Sequence, residues 1–93
     1  MTVIVGAART PIGKFGGALS SLRAVELGGH VIGAAVERSG IDPTSVDEVL
    51  MGHVLQAGEG QITALQAATR AGLPMTVPST TINKVCLSGL AAI

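Results

Sequence analysis

Thr80-Thr81-Ile82-Asn83-Lys84-Val85-Cys86-Leu87-Ser88-Gly89-Leu90-Ala91-Ala92-Ile93 is the stretch on which the reading of the fold turns. Residues 80–85 read as an apolar, partly β-branched strand, and from Cys86 onward the composition becomes that of a helix just beginning. A strand that runs straight into a helix is one step of an alternating α/β pattern, and the residues before it supply the earlier steps.

Ile62, Leu65, Ala68 and Ala71 recur at helical spacing and are stopped by Gly72 and Pro74, which predicts a helix just before the final strand. Ahead of it, Gln56-Ala57-Gly58-Glu59-Gly60-Gln61 reads as a loop, and residues 46–54, centred on Val49-Leu50-Met51 and punctuated by Gly52, read as a second strand. Ile41-Asp42-Pro43-Thr44-Ser45 is a turn. A longer helix precedes it, capped by Ser20 or Ser21, carrying Leu22, Val25, Gly29, Ile32 and Val36 on one face, and ended by Gly40. Gly29 and Gly33 would let that face approach a neighbour closely. Residues 3–8 read as a buried strand closed by Arg9-Thr10-Pro11, and residues 12–17 as a glycine-relaxed loop. The predicted order is therefore strand, helix, strand, helix, strand, helix start, an α/β sheet with helices on its faces and no internal repeat.

Ninety-three residues suit one small domain, and thirteen glycines with a single aromatic residue predict close-packed small side chains around a thin core. Six basic and six acidic side chains cancel without any run of one sign, which excludes the cationic stripe that nucleic acid or an anionic membrane surface requires. One cysteine excludes an internal disulfide and a cysteine-based zinc cluster, and no apolar stretch approaches the roughly 20 residues of a membrane span, so a cytoplasmic protein is expected. The last helix reaches Ile93 without Gly, Pro or a polar cap, and the chain is read as part of a longer protein whose apolar faces it would leave exposed.

Cys86, between Val85 and Leu87, admits two readings. A buried cysteine is commonly a small hydrophobe. At a strand-to-helix turn, however, a thiol meets the positive end of the helix dipole and free backbone N–H groups, which favour the attacking thiolate and can receive the oxyanion of a thioester under attack. The residues alone leave both open. His30 and His53 lack acidic or cysteine neighbours and read as structural, Met51 and Met75 as packing, and Glu59 as a solvated loop charge. The glycine clusters, with Arg9 and Lys14 near one of them, spell neither G-x-G-x-x-G nor a P-loop, so no nucleotide site is expected.

Asn83-Lys84-Val85-Cys86-Leu87-Ser88-Gly89-Leu90 resembles the acyl-enzyme signature of thiolases, N-x-x-C-x-S-G, in which the cysteine is the nucleophile. Gly6-Ala7-Ala8-Arg9-Thr10-Pro11-Ile12-Gly13-Lys14-Phe15-Gly16-Gly17 is similar to that family's opening strand and loop, and Met51-Gly52-His53-Val54-Leu55-Gln56-Ala57-Gly58-Glu59-Gly60-Gln61 to its second-strand segment. His53 stands where many relatives carry Asn, and Leu65 where Arg is common. The resemblance implies a layered α/β thiolase fold of which residues 1–93 form the first strands and helices of the N-terminal half. It implies an acyl-CoA thiolase, condensing acetyl-CoA to acetoacetyl-CoA or cleaving 3-ketoacyl-CoA through a Cys86 acyl-enzyme. Acyl-CoA and CoA would be its substrates, with no metal or redox cofactor. An activating histidine and a second catalytic cysteine would come from later motifs, leaving these residues alone inactive. A dimer or homotetramer paired through residues 80–85, from Thr80 to Val85, is implied as well. The rival readings are a condensing enzyme of the ketoacyl-synthase type and a non-catalytic α/β interaction module.

Overall fold

Glu26 fixes where the first helix starts. The computed structural model describes residues 1–93, and in it the Glu26 carboxylate accepts the Arg23 N–H at 2.6 Å, the return arm of a capping box placed at the positive end of the helix dipole. Helix α1 therefore spans Ala24–Ser39 with Arg23, rather than Ser20 or Ser21, at its N-cap. Ser20 instead folds back onto the Gly17 carbonyl through its backbone and its hydroxyl. Gly40 ends α1 as expected, at φ 71°, with its N–H donated to the Glu37 carbonyl. A single 3₁₀ turn over Pro43–Ser45 follows, capped by Asp42. The Thr44 N–H and hydroxyl both donate to Asp42 Oδ1 at 2.8 Å, and these bonds, the backbone one first, hold the carboxyl below its ordinary value of 3.8.

Strand β1 (Val49–Gly52), helix α2 (Thr63–Arg70) and strand β2 (Ser79–Ile82) form a β-α-β unit, and helix α3 is the single turn Ser88–Ala91. β1 and β2 pair in parallel, Val49 opposite Ser79 and Gly52 opposite Ile82. The Val49 N–H to Pro78 carbonyl and His53 N–H to Ile82 carbonyl bonds, both 2.9 Å, carry the pairing past either end. Both strands are shorter than the apolar runs that encode them, because hydrogen-bonded pairing and not hydropathy sets their limits.

α1 packs on α2 through missing side chains. A Cβ on Gly29 would stand 2.7 Å from Arg70 Cβ and 3.2 Å from the Ala67 carbonyl, and one on Gly28 would stand 3.1 Å from Ala67 Cβ. Gly33 leaves ordinary contact with Ala71. The buried residues are correspondingly small: Val25, Ala64, Ala67 and Ala68 are fully covered, with Val49, Leu73 and Val77 nearly so. At about 0.8 kcal/mol per buried methylene, alanines contribute little each, so the core depends on how closely the helices approach.

Residues 3–8 depart from expectation. They form no strand, and Val3, Ile4 and Val5 are 64, 83 and 61 % exposed. A β-branched run has the propensity for a strand, but propensity does not decide which surface a segment meets, and this one engages α1 instead of pairing with the sheet. Arg38 Nη1 donates to the Ala7 carbonyl at 2.9 Å, and Gly6 lies against Ala35 and Ser39. Met75, read as packing, is exposed, whereas Met51 packs on the core. Ile12, Phe15, Leu55 and Leu90 add to the uncovered apolar surface. We expect the 93-residue chain by itself to bind an apolar dye, to self-associate, and to show little amide protection over residues 87–93, since a one-turn helix cannot hold itself in water. Hydrogen exchange would contradict this if those amides were as protected as those of α1.

Candidate active site

β2 ends at Ile82, and the chain then makes a tight turn that sets Cys86 on the surface, two residues before Ser88, which packs against the carboxyl end of β1. Ligand sites of parallel α/β sheets lie at this end of the strands. The turn depends on Val85, whose φ of 51° is left-handed, an uncommon state for any residue but glycine and a costly one for a β-branched side chain. Its polar atoms are held on every side. Asn83 Oδ1 accepts the Val85 N–H at 3.0 Å, while Asn83 Nδ2 donates to the Val54 carbonyl at 3.2 Å. Ser88 Oγ accepts the Lys84 N–H at 2.8 Å and donates to the Val85 carbonyl at 2.7 Å. Ser88 is 3 % exposed, so these bonds form away from competing water.

Gly52 is the floor of this arrangement. A Cβ there would stand 2.5 Å from Ser88 C and 2.6 Å from Gly89 N, so only glycine at the end of β1 lets the first turn of α3 settle where it does. The Leu87 and Ser88 N–H groups are donated to the Lys84 and Val85 carbonyls at 3.1 Å, which removes two of the donors that a strand entering a helix would offer an oxyanion. The residues that hold the turn, Asn83 and Ser88, carry a signal in the sequence: each is a short polar side chain able to bond backbone two or three residues away.

Cys86 is exposed and takes no part in the core of these residues. His53 has a structural place, its Nδ1 lying 2.9 Å from Thr63 Oγ1, which in turn lies 3.3 Å from Thr81 Oγ1. Thr81 Oγ1 accepts the Ala64 N–H at 3.0 Å, so β1, the start of α2 and β2 are tied together below the turn. His30 lies exposed on α1, and no three of the chain's His, Cys, Asp and Glu side chains converge where they could share an ion. Glu59 is not a free loop charge: it pairs with Arg23 at 3.3 Å, and its carbonyl accepts Gln66 Nε2 at 2.9 Å, fastening the 56–61 loop to both helices. With Arg23 half exposed, that pair is worth at most about 1 kcal/mol. The hollows of the surface lie along residues 9–12 and between Leu19, Leu27 and His30, and none is lined by Cys86.

The profile of the thiolase N-terminal domain matches residues 2–93. The chain belongs to the thiolase family. It is 62 % identical over 91 residues to an acetyl-CoA acetyltransferase of Cupriavidus necator and 59 % identical over 91 residues to a mitochondrial acetyl-CoA acetyltransferase of Xenopus tropicalis. In each case 98 % of the chain is aligned, but it spans only 23 % and 22 % of those relatives' lengths. Among solved structures it matches the Acat5 thiolase from Ascaris suum in complex with coenzyme A, at a TM-score of 0.90 and 41 % identity, over 96 % of this chain and 23 % of that one. The α/β arrangement described above is thus the beginning of a thiolase fold, and the residues around Cys86 lie inside the matched span.

Proposed function

We propose that this chain supplies the acyl-accepting thiol of an acyl-CoA thiolase and that Cys86 is that thiol. The observation that carries the reading is an exposed Cys86 on a rigidly held turn at the carboxyl end of β2, inside a thiolase N-terminal domain. The Cys86 thiolate adds to the carbonyl carbon of an acyl-CoA; as the tetrahedral adduct collapses, the carbon–sulfur bond to CoA breaks and CoA leaves, taking a proton. A second acetyl-CoA, deprotonated at its α-carbon, then attacks the acyl carbon, forming the new carbon–carbon bond and releasing Cys86. In reverse, free CoA cleaves a 3-ketoacyl-CoA.

The proton-transfer groups belong outside these residues, since His53 is engaged with Thr63 and the surface around Cys86 is open rather than enclosed. A histidine and a second cysteine from the remainder of a full-length chain fill those roles in this reading, and CoA thioesters are substrates, with no metal or redox cofactor assigned. A carrier-protein condensing enzyme and a non-catalytic module fit less well, because the similar proteins are acetyl-CoA acetyltransferases and a packing cysteine would be covered.

The compartment we assign is the cytoplasm, on the single cysteine, which suits a reducing environment. No helix is long and apolar enough to cross a membrane. β2 has β1 on one side only, which leaves the other edge of Ser79–Ile82, shorter than the run from Thr80 to Val85 read in the sequence, for a second copy across a two-fold axis. Native mass spectrometry of a full-length thiolase carrying this segment, after mixing with acetyl-CoA, is expected to show a dimer or tetramer with one acetyl group per subunit, borne on the tryptic peptide that begins at Val85. An acetyl group located elsewhere, or none, overturns the assignment of Cys86; a monomer at micromolar concentration overturns the assembly.

A further inference from the structure

We propose that Asn83 and Ser88 are positioning residues for the acylation step, acting through the left-handed backbone of Val85 to fix where the Cys86 thiol stands. The inference rests on the thiolase reading but does not follow from it, because a nucleophilic cysteine can be carried on a relaxed turn. Here the turn is not relaxed. Val85 at φ 51° occupies a conformation that a β-branched residue leaves unless something retains it. Asn83 takes its N–H, and Ser88 takes the Lys84 N–H and gives its own proton to the Val85 carbonyl, so the peptide groups before and after Val85 are both pinned.

The pins are anchored independently. Asn83 is tied to the Val54 carbonyl beyond β1, and Ser88 is buried against Gly52 at the end of β1. Rotation at Val85 would redirect Cys86, its immediate neighbour. The strand end, the turn and the first turn of α3 thus form one unit whose output is the direction of a single side chain, and misplacing a nucleophile by about 1 Å costs on the order of 100-fold in rate.

The test uses a full-length thiolase carrying this segment, with rapid-mixing measurement of CoA release on acylation by acetyl-CoA. Ser88→Ala and Asn83→Ala are each expected to slow acylation by about 30- to 100-fold while KM for acetyl-CoA shifts less than about threefold, the signature of a group that aims the nucleophile without binding substrate. Adding Val85→Gly to Ser88→Ala is expected to restore about tenfold, because glycine enters the left-handed region without the penalty that other residues meet. A merely structural role for Ser88 predicts no such recovery. Asn83 is exposed, so its variant decides the matter if Ser88→Ala does not fold. Acylation within about threefold of the unsubstituted enzyme in either folded variant, or no recovery in the double variant, overturns the proposal. The unsubstituted enzyme separates this from the reading it rests on: an acetyl group found away from Cys86 sinks the nucleophile assignment, whereas an acetyl group on Cys86 with unaffected variants sinks only the positioning role.

Discussion

Cys86→Ser in a full-length thiolase carrying this segment is expected to lower turnover by about four orders of magnitude or more and to abolish the burst of CoA release, while leaving the melting temperature essentially unchanged. The loss is chemical. A hydroxyl holds its proton far more tightly than a thiol at neutral pH, so the attacking anion all but disappears, and the oxygen ester that a rare attack would form lacks the reactivity of a thioester. The indifference of stability follows from size: replacing sulfur by oxygen adds no bulk and breaks no hydrogen bond of the turn, and Cys86 makes no part of the core of these residues. Stopped-flow detection of released CoA and a thermal melt on the same preparation check both halves. A retained burst would refute the nucleophile, and a collapsed melting temperature would show that Cys86 is packing after all.

How much of this could be seen in the sequence depends on whether the deciding interaction is local. Gly40 as a left-handed cap, Gly29 and Gly33 as a helix contact, and the passage from strand to helix at Cys86 each follow from a residue's own backbone freedom or from spacing along one element. Ser20 and Ser21 point to too early a start for α1, whereas Glu26, the carboxylate three residues after the Arg23 N-cap, marks the start that forms. Residues 3–8 have strand propensity, but propensity does not say that the segment lies against α1 and not along the sheet. Glu59 looked like a solvated charge because its partner, Arg23, lies 36 residues away. Val85 offered no warning: a valine is the last residue from which a left-handed turn would be inferred, and only the bonds from Asn83 and Ser88 explain it.

Gly52 carries the second large effect, and its role also lies beyond the sequence, since nothing in Met51-Gly52-His53 says what stands opposite. Gly52→Ala is expected to destabilise a full-length thiolase carrying this segment by about 2–3 kcal/mol and to slow acylation by about 100-fold. The added methyl group would meet the Ser88 carbonyl carbon at 2.5 Å and the Gly89 nitrogen at 2.6 Å. These are backbone atoms, not the movable end of a side chain, so either β1 or the start of α3 must shift. β1 is the more constrained of the two, with His53 bonded to Ile82 across the sheet and to Thr63 on α2. α3 is one turn long and yields first. As it moves, Ser88 is drawn away from the Lys84 N–H and the Val85 carbonyl, and the turn loses the clamp that directs Cys86. The two losses therefore have one cause and should appear together. Denaturant unfolding and single-turnover acylation, measured side by side, would decide it. A variant that unfolds at lower denaturant yet acylates at the original rate would mean that Gly52 supports the fold without governing the thiol, and an unchanged variant would mean that the close approach of β1 to α3 is not needed at all.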